Sequence, residues 1–222
     1  MSTGFLCFSS ITKKIIMSLA GLFLVVFLLV HLSINLLILK DDGGKSFIAA
    51  SEFMSSNPLI KIMEIVLFGC LFIHMIYGVI LTIKNWMSRP VKYSVVNKTD
   101  TSFFSRYMIY TGGIIFIFLA IHFMNFYFVK LGLVDIPEGA GNRHDFYNMV
   151  INLFSIPSYS VIYIILMLLL GLHLNHAFQA AFQTLGINHN KYTPAIKVLA
   201  TIYSIIVSVG FSIIPLYFLL KY

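Results

Sequence analysis

Charge is scarce in this sequence. Only 10% of the 222 residues are Asp, Glu, Lys or Arg, whereas a soluble domain carries about 25%. Cysteine is scarcer still, with Cys7 in the N-terminal tail and Cys70 inside an apolar run. Without a CxxC pair or a C-x-x-C-H, neither a zinc ribbon nor covalently attached c-type haem is indicated. Placement alone argues against a disulfide between the two. The chain also lacks a dinucleotide-binding glycine fingerprint, an internal repeat, low-complexity sequence and any polar stretch long enough for a soluble domain. Short alternating segments are absent too, which excludes a membrane barrel.

What the chain does have is apolar length. Five nearly charge-free runs stand out: Ile15–Leu39, Ile65–Ile83, Tyr107–Val129, Ile156–Thr184 and Val198–Leu220. Each reaches the ~18–20 residues a helix needs to cross a bilayer. The expected fold is an all-α integral membrane bundle forming one domain over 1–222, with five helices near 15–39, 59–87, 104–130, 157–186 and 196–220. Lys13 and Lys14 before the first run resemble a signal peptide. The apolar part is too long for one and no small-residue cleavage site follows, so it reads as a retained helix.

The net charge of +7 follows topology and does not indicate nucleic-acid binding. With the N-terminus cytoplasmic, the inner segments hold Lys13, Lys14, Lys84, Arg89, Lys92, Lys98, Arg106, Lys191 and Lys197 against Asp100 alone. The positive-inside rule then puts the C-terminus outside and the protein, multi-pass, in the cytoplasmic (inner) membrane. Residues 45–57, KSFIAASEFMSSN, have the apolar spacing of a short surface helix. Pro58 and Pro157 open helices two and four, Gly186 reads as the C-cap of helix four, and Pro215 reads as a kink in helix five. The stretch containing DIPEGAGNRHDFYN reads as a polar, turn-rich loop. The cationic loop around Arg89–Lys98 can meet anionic lipid or a cytoplasmic partner.

Histidine inside the apolar runs points to function, because an imidazole in hydrocarbon is costly unless something binds it. His31, His74 and His122 each sit in a separate run, and helix four carries His173 and His176 one turn apart. At a rise of about 1.5 Å per residue, His31 and His122 lie roughly 25 Å from the inner surface. His74, His173 and His176 lie roughly 15–20 Å from it by the same measure. Two pairs at two levels suit two stacked bis-histidine haems, each iron taking facing ligands from different helices. Depth does not choose between His173 and His176. A proton-relay transporter would more often show intramembrane carboxylates, and zinc would require three or four ligands at one level. His144 and His189 fall in loops and read as solvated.

The chain resembles the single-chain, five-helix, di-haem membrane anchor of succinate:quinone oxidoreductases, the succinate dehydrogenase and fumarate reductase family. The resemblance spans essentially the whole chain and rests on HLSIN at His31, NPLIKIME leading to His74, LAIHF at His122, GLHLNHAF…TLGI at His173, and GFSIIPLYF. One histidine on each of helices one to four differs from cytochrome b of bc complexes, where two helices carry two each. The resemblance implies that His74 and His173 hold the inner haem b and that His31 and His122 hold the outer one. His173 is preferred because the family ligand precedes a helix-ending glycine by 13 residues, here Gly186. His176 then supports the ligand or faces lipid. Where some relatives carry a glutamate two residues before this ligand, this chain has Gly171.

The resemblance further implies a quinone, menaquinone being the expected species, reduced or oxidised near the outer haem with an acidic residue close by. Glu64 is the first candidate and Glu52 the second; alternatively, Glu64 simply marks a helix start, where the dipole favours a carboxylate. Ser33, Asn35 and Asn125 flank the outer histidines at helical spacing. A flavoprotein subunit with FAD and an iron–sulfur subunit are implied at the cytoplasmic face, because nothing in this chain can itself oxidise succinate. Two alternatives stand beside this one: a di-haem anchor of another quinone-linked dehydrogenase, and a haem-free transporter using its intramembrane histidines.

Overall fold

The computed structural model describes residues 9–87 and 108–221. The Arg89–Lys98 loop, Cys7 and the expected start of the third span at 104 lie outside the described residues. Among those described, the chain is helical with no strand. Five helices are long and apolar enough to cross a membrane, the character of a multi-pass membrane protein.

Helix α1 (Ser10–Asn35) begins earlier than the apolar run, because Ser9 accepts a hydrogen bond from the Thr12 amide and caps it. Lys13 and Lys14 are therefore inside the helix. A tight turn, Leu36–Leu39, ends this span. The surface helix expected at 45–57 is α2 (Lys45–Ser56). Helix α3 (Pro58–Met87) follows, so Glu64 lies beyond its first turn and does not mark a helix start. The third span is α4 (Met108–His122), a π turn at Phe123–Tyr127 and α5 (Phe128–Leu131). Helix α7 (Pro157–Thr184) and helix α8 (Thr193–Lys221) complete the five spans. Pro215 does not end α8, although its ring removes one backbone donor.

The polar loop corrects one expectation. It contains a helix, α6 (Phe146–Phe154). Its apolar residues Met149, Val150 and Phe154 are buried, spaced at one to four residues as on one helical face. Asp145 caps it, accepting from the amides of Asn148 at 3.2 Å and Gly141 at 2.9 Å. Turn residues just upstream concealed that periodicity. α6 packs on α7 and α8, and α2 packs on α1, α3 and α6, so both short helices sit at the Asn35 end of α1.

Helix α7 ends in a Schellman motif. The Ile187 amide donates to the Phe182 carbonyl at 3.0 Å and the Gly186 amide to Gln183 at 3.1 Å. Gly186 adopts a positive φ of 84°, which glycine tolerates and other residues resist.

The closest helix pairing is α7 with α8. Small residues allow it, as is general for helices packing in lipid. A Cβ at Gly171 would lie 2.7 Å from Ser208 Cβ, and the Ser208 hydroxyl donates to the Met167 carbonyl at 2.9 Å. Tyr203 ties α8 to α1 by donating to the Val25 carbonyl at 2.8 Å. Helices α1, α3, α4 and α7 surround a common space, while α8 closes the seam between α1 and α7.

Two outcomes follow from these contacts. Gly171→Ala destabilises the protein by about 1–3 kcal/mol through overpacking, read as a lower thermal midpoint. Gly69→Ala, where a Cβ meets no described atom within 4 Å, should not lower the midpoint, because alanine is the better helix former. Burial raises the Asp145 pKa, but the bonds from Asn148 and Gly141 outweigh it and hold the carboxyl below its ordinary value. Its stabilisation of α6 is complete above the ordinary carboxylate pKa and is lost as pH falls through the depressed one. The protection factor of the Asn148 amide, its exchange rate measured against the intrinsic rate at each pH, should fall below about pH 4, and Asp145→Asn should remove that pH step.

Candidate functional site

The space between the helices is a cavity of about 1310 Å³, above the ~300–1,000 Å³ of a drug-sized ligand site. Its walls are apolar, from residues such as Leu28, Leu71, Phe116 and Met167, and it is lined by His31, His74, His122, His173 and His176. The five intramembrane histidines singled out from the sequence therefore face one interior space. They come from α1, α3, α4 and α7.

At one level, the rings of His31 and His122 have centroids 5.9 Å apart at an interplanar angle of 83°. Two imidazoles binding one metal from opposite sides, with bonds of about 2 Å, have ring centres roughly 6 Å apart. Aromatic rings hold the pair in place: Phe27 stacks on His31 at 5.3 Å, and Phe126 lies 5.3 Å from His122. His122 Nδ1 is buried with no hydrogen-bond partner among the described residues. Such an orphan is costly in an apolar interior. The Asn35 side-chain amide donates to the His31 carbonyl at 2.7 Å and lies 3.4 Å from His31 Nδ1.

The second level is built differently. His74 Nδ1 lies 3.3 Å from the Met17 carbonyl, so it is the protonated nitrogen and Nε2 keeps its lone pair. Gly21 faces this ring, and a Cβ there would approach it to 3.2 Å. His173 Nδ1 lies 3.2 Å from the Thr111 hydroxyl. That hydroxyl donates to the Met108 carbonyl at 3.0 Å, so its oxygen accepts from Nδ1–H and Nε2 again remains basic. A histidine with Nδ1–H tied to an acceptor and Nε2 free is in the tautomer a metal needs. His173 lies within electrostatic reach of both His74 and His176. Two donors at each of two levels, all imidazole and set in an apolar wall, fit haem iron better than a hydrated cation.

Glu64 lies at the Asn35 end, in a separate pocket of about 380 Å³ lined by Ser55, Lys61, Phe68, Tyr127, Lys130 and His144 among others. Tyr127 donates to Glu64 Oε1 at 2.8 Å, and Lys130 Nζ lies 3.0 Å from Oε2. Phe68 borders both this pocket and the large cavity. Glu52 is exposed on α2 and lines neither space. Ser33 bonds within its own helix, to the Leu29 carbonyl. Asn125, in the π turn, donates to the Tyr163 hydroxyl at 2.9 Å, joining that turn to α7.

Sequence reasoning did not single out Tyr127, Lys130 or Thr111. Tyr127 and Lys130 follow His122 by five and eight residues, and an intervening π turn, a feature frequent at functional sites, alters the register that helical counting assumes. Thr111 carried no signal beyond being polar in an apolar run.

Because both side chains of the Glu64–Lys130 pair are only 22–26% exposed, leaving either without its partner is expected to cost about 2 kcal/mol. Lys130→Met and Glu64→Gln should each lower thermal stability, and the double variant should lose less than the sum. Strict additivity in that cycle would show the contact to be energetically idle. No protein-family model, curated protein or solved structure matches this chain, so its own residues carry the functional conclusion.

Proposed function

We propose that this protein is the cytochrome b membrane-anchor subunit of a succinate dehydrogenase or fumarate reductase. It would pass electrons between an iron–sulfur subunit and membrane menaquinone through two bis-histidine haems b. The observation that carries this is the arrangement of four histidines, one from each of four helices, lining one apolar cavity as two levels of two. His31 and His122 would hold one haem and His74 and His173 the other. When bound, haem iron supplies one-electron transfer at each level.

The chain's own groups have definable tasks. The Met17 carbonyl and the Thr111 hydroxyl orient the His74 and His173 rings and hold the Nδ1 protons, leaving Nε2 as donor. The apolar walls exclude water, which favours the neutral imidazole that binds metal. At the Glu64 pocket, the carboxylate accepts from the Tyr127 hydroxyl beside Phe68, and this pair would supply the proton-exchanging groups that quinone reduction requires. The absence of any acidic side chain among the described residues lining the large cavity favours a cytochrome over a proton-relay transporter.

Isolation of the tagged chain from its native membrane tests the assignment. A flavoprotein with FAD and an iron–sulfur protein should co-purify, with a b-type reduced-minus-oxidised spectrum and succinate-dependent haem reduction. Haem with a different flavoprotein and no succinate response would move the assignment to another quinone-linked dehydrogenase. The absence of a haem α-band would end it.

A further inference from the structure

One end of the large cavity is left unused by the four candidate ligands. Lys14 lines it from α1 and His176 from α7. Each stands three residues from a group of the second level: Lys14 from Met17, whose carbonyl holds His74, and His176 from His173. Three residues of helix advance about 4.5 Å. Both displacements point the same way, because α1 and α7 run antiparallel. His31 of α1 meets His122 of α4, while His173 of α7 meets Thr111 at the start of α4.

Lys14 is the only charged side chain among the described residues lining the cavity. Lys14 and His176 make no hydrogen bond or ion pair with another described residue. Their neighbours differ in this respect. Thr82 and Thr184, at the same end, donate to the carbonyls of Gly78 and Ala180 in their own helices. A cation and an imidazole whose donors meet no described acceptor, at the edge of an apolar cavity, form the complement of a carboxylate.

We propose that Lys14 and His176 seat a carboxylate group of the cofactor held at the His74–His173 level, a haem side-chain carboxylate. This rests on the di-haem assignment. A haem brings carboxylates at one edge of an otherwise apolar macrocycle, and burying such a group unpaired is costly. Lys14 supplies the charge and His176 a directed N–H, which together fix how the macrocycle is turned about its iron.

The test compares haem with its dimethyl ester, which keeps the iron and ring but lacks the charges. Each is titrated into the purified full chain carrying His31→Ala, so that only the second level loads. Haem should bind about tenfold tighter than the ester, the scale of one charge-assisted hydrogen bond. Lys14→Gln and His176→Phe should each shrink that preference, and Lys14→Arg should retain it. No preference for haem over ester in the parent would overturn the proposal, as would a preference unchanged in both Lys14→Gln and His176→Phe. If the wild-type chain binds neither compound, the di-haem assignment itself fails, a result distinct from either of those.

Discussion

An imidazole buried in hydrocarbon must be bonded to something, and much of this protein is arranged around that requirement. Each of the five intramembrane histidines faces the interior cavity and none is spent on the surrounding apolar phase. Two have one nitrogen tied to a helix carbonyl or hydroxyl, which leaves the other basic. One, His122, has a buried nitrogen with no hydrogen-bond partner among the described residues. Two levels of such rings, set in a wall of Leu, Phe and Met, are the basis of the proposal that the cavity holds two haems.

The helices that carry these rings are positioned by ordinary membrane packing. Gly171 lets α7 approach α8 at Ser208, and Tyr203 fastens α8 to α1. Phe211, Ile214 and Pro215 of α8 also reach the cavity, so the same packing helps to close it. The pairs α7–α8 and α1–α3 are extensive, whereas α3 and α4 touch little. Glu64, Tyr127 and Lys130 join α3 to the third span at the Asn35 end. The same cluster that closes this seam is thus the polar pocket beside the His31–His122 level.

The helical architecture was legible because length and hydropathy alone decide it: the five runs became five spans, with ends moved by caps such as Ser9. The surface helix after Gly44 was legible from its spacing. Helix α6 was not, since its nine residues, although periodic, directly follow a cluster of turn formers that made the whole stretch read as a loop. The histidines were legible as outliers in apolar sequence, and rise per residue sorted them into levels without separating His173 from His176. The structure adds what counting cannot supply: the Thr111 contact that fixes the His173 tautomer, and the π turn after His122 that precedes Tyr127 and Lys130. Gly171 shows the same limit, since only the nearness of Ser208 reveals what a larger residue there would meet.

The central claim is that His31 with His122, and His74 with His173, each hold one haem. Haem counted per chain in purified single variants tests it most directly. Two haems are expected in the wild type, one in each of His31→Ala, His74→Ala, His122→Ala and His173→Ala, and none in the His31→Ala/His173→Ala double variant. Retention of two haems in His173→Ala, with loss of one in His176→Ala, would contradict the ligand set. A wild-type chain without haem would contradict the account as a whole.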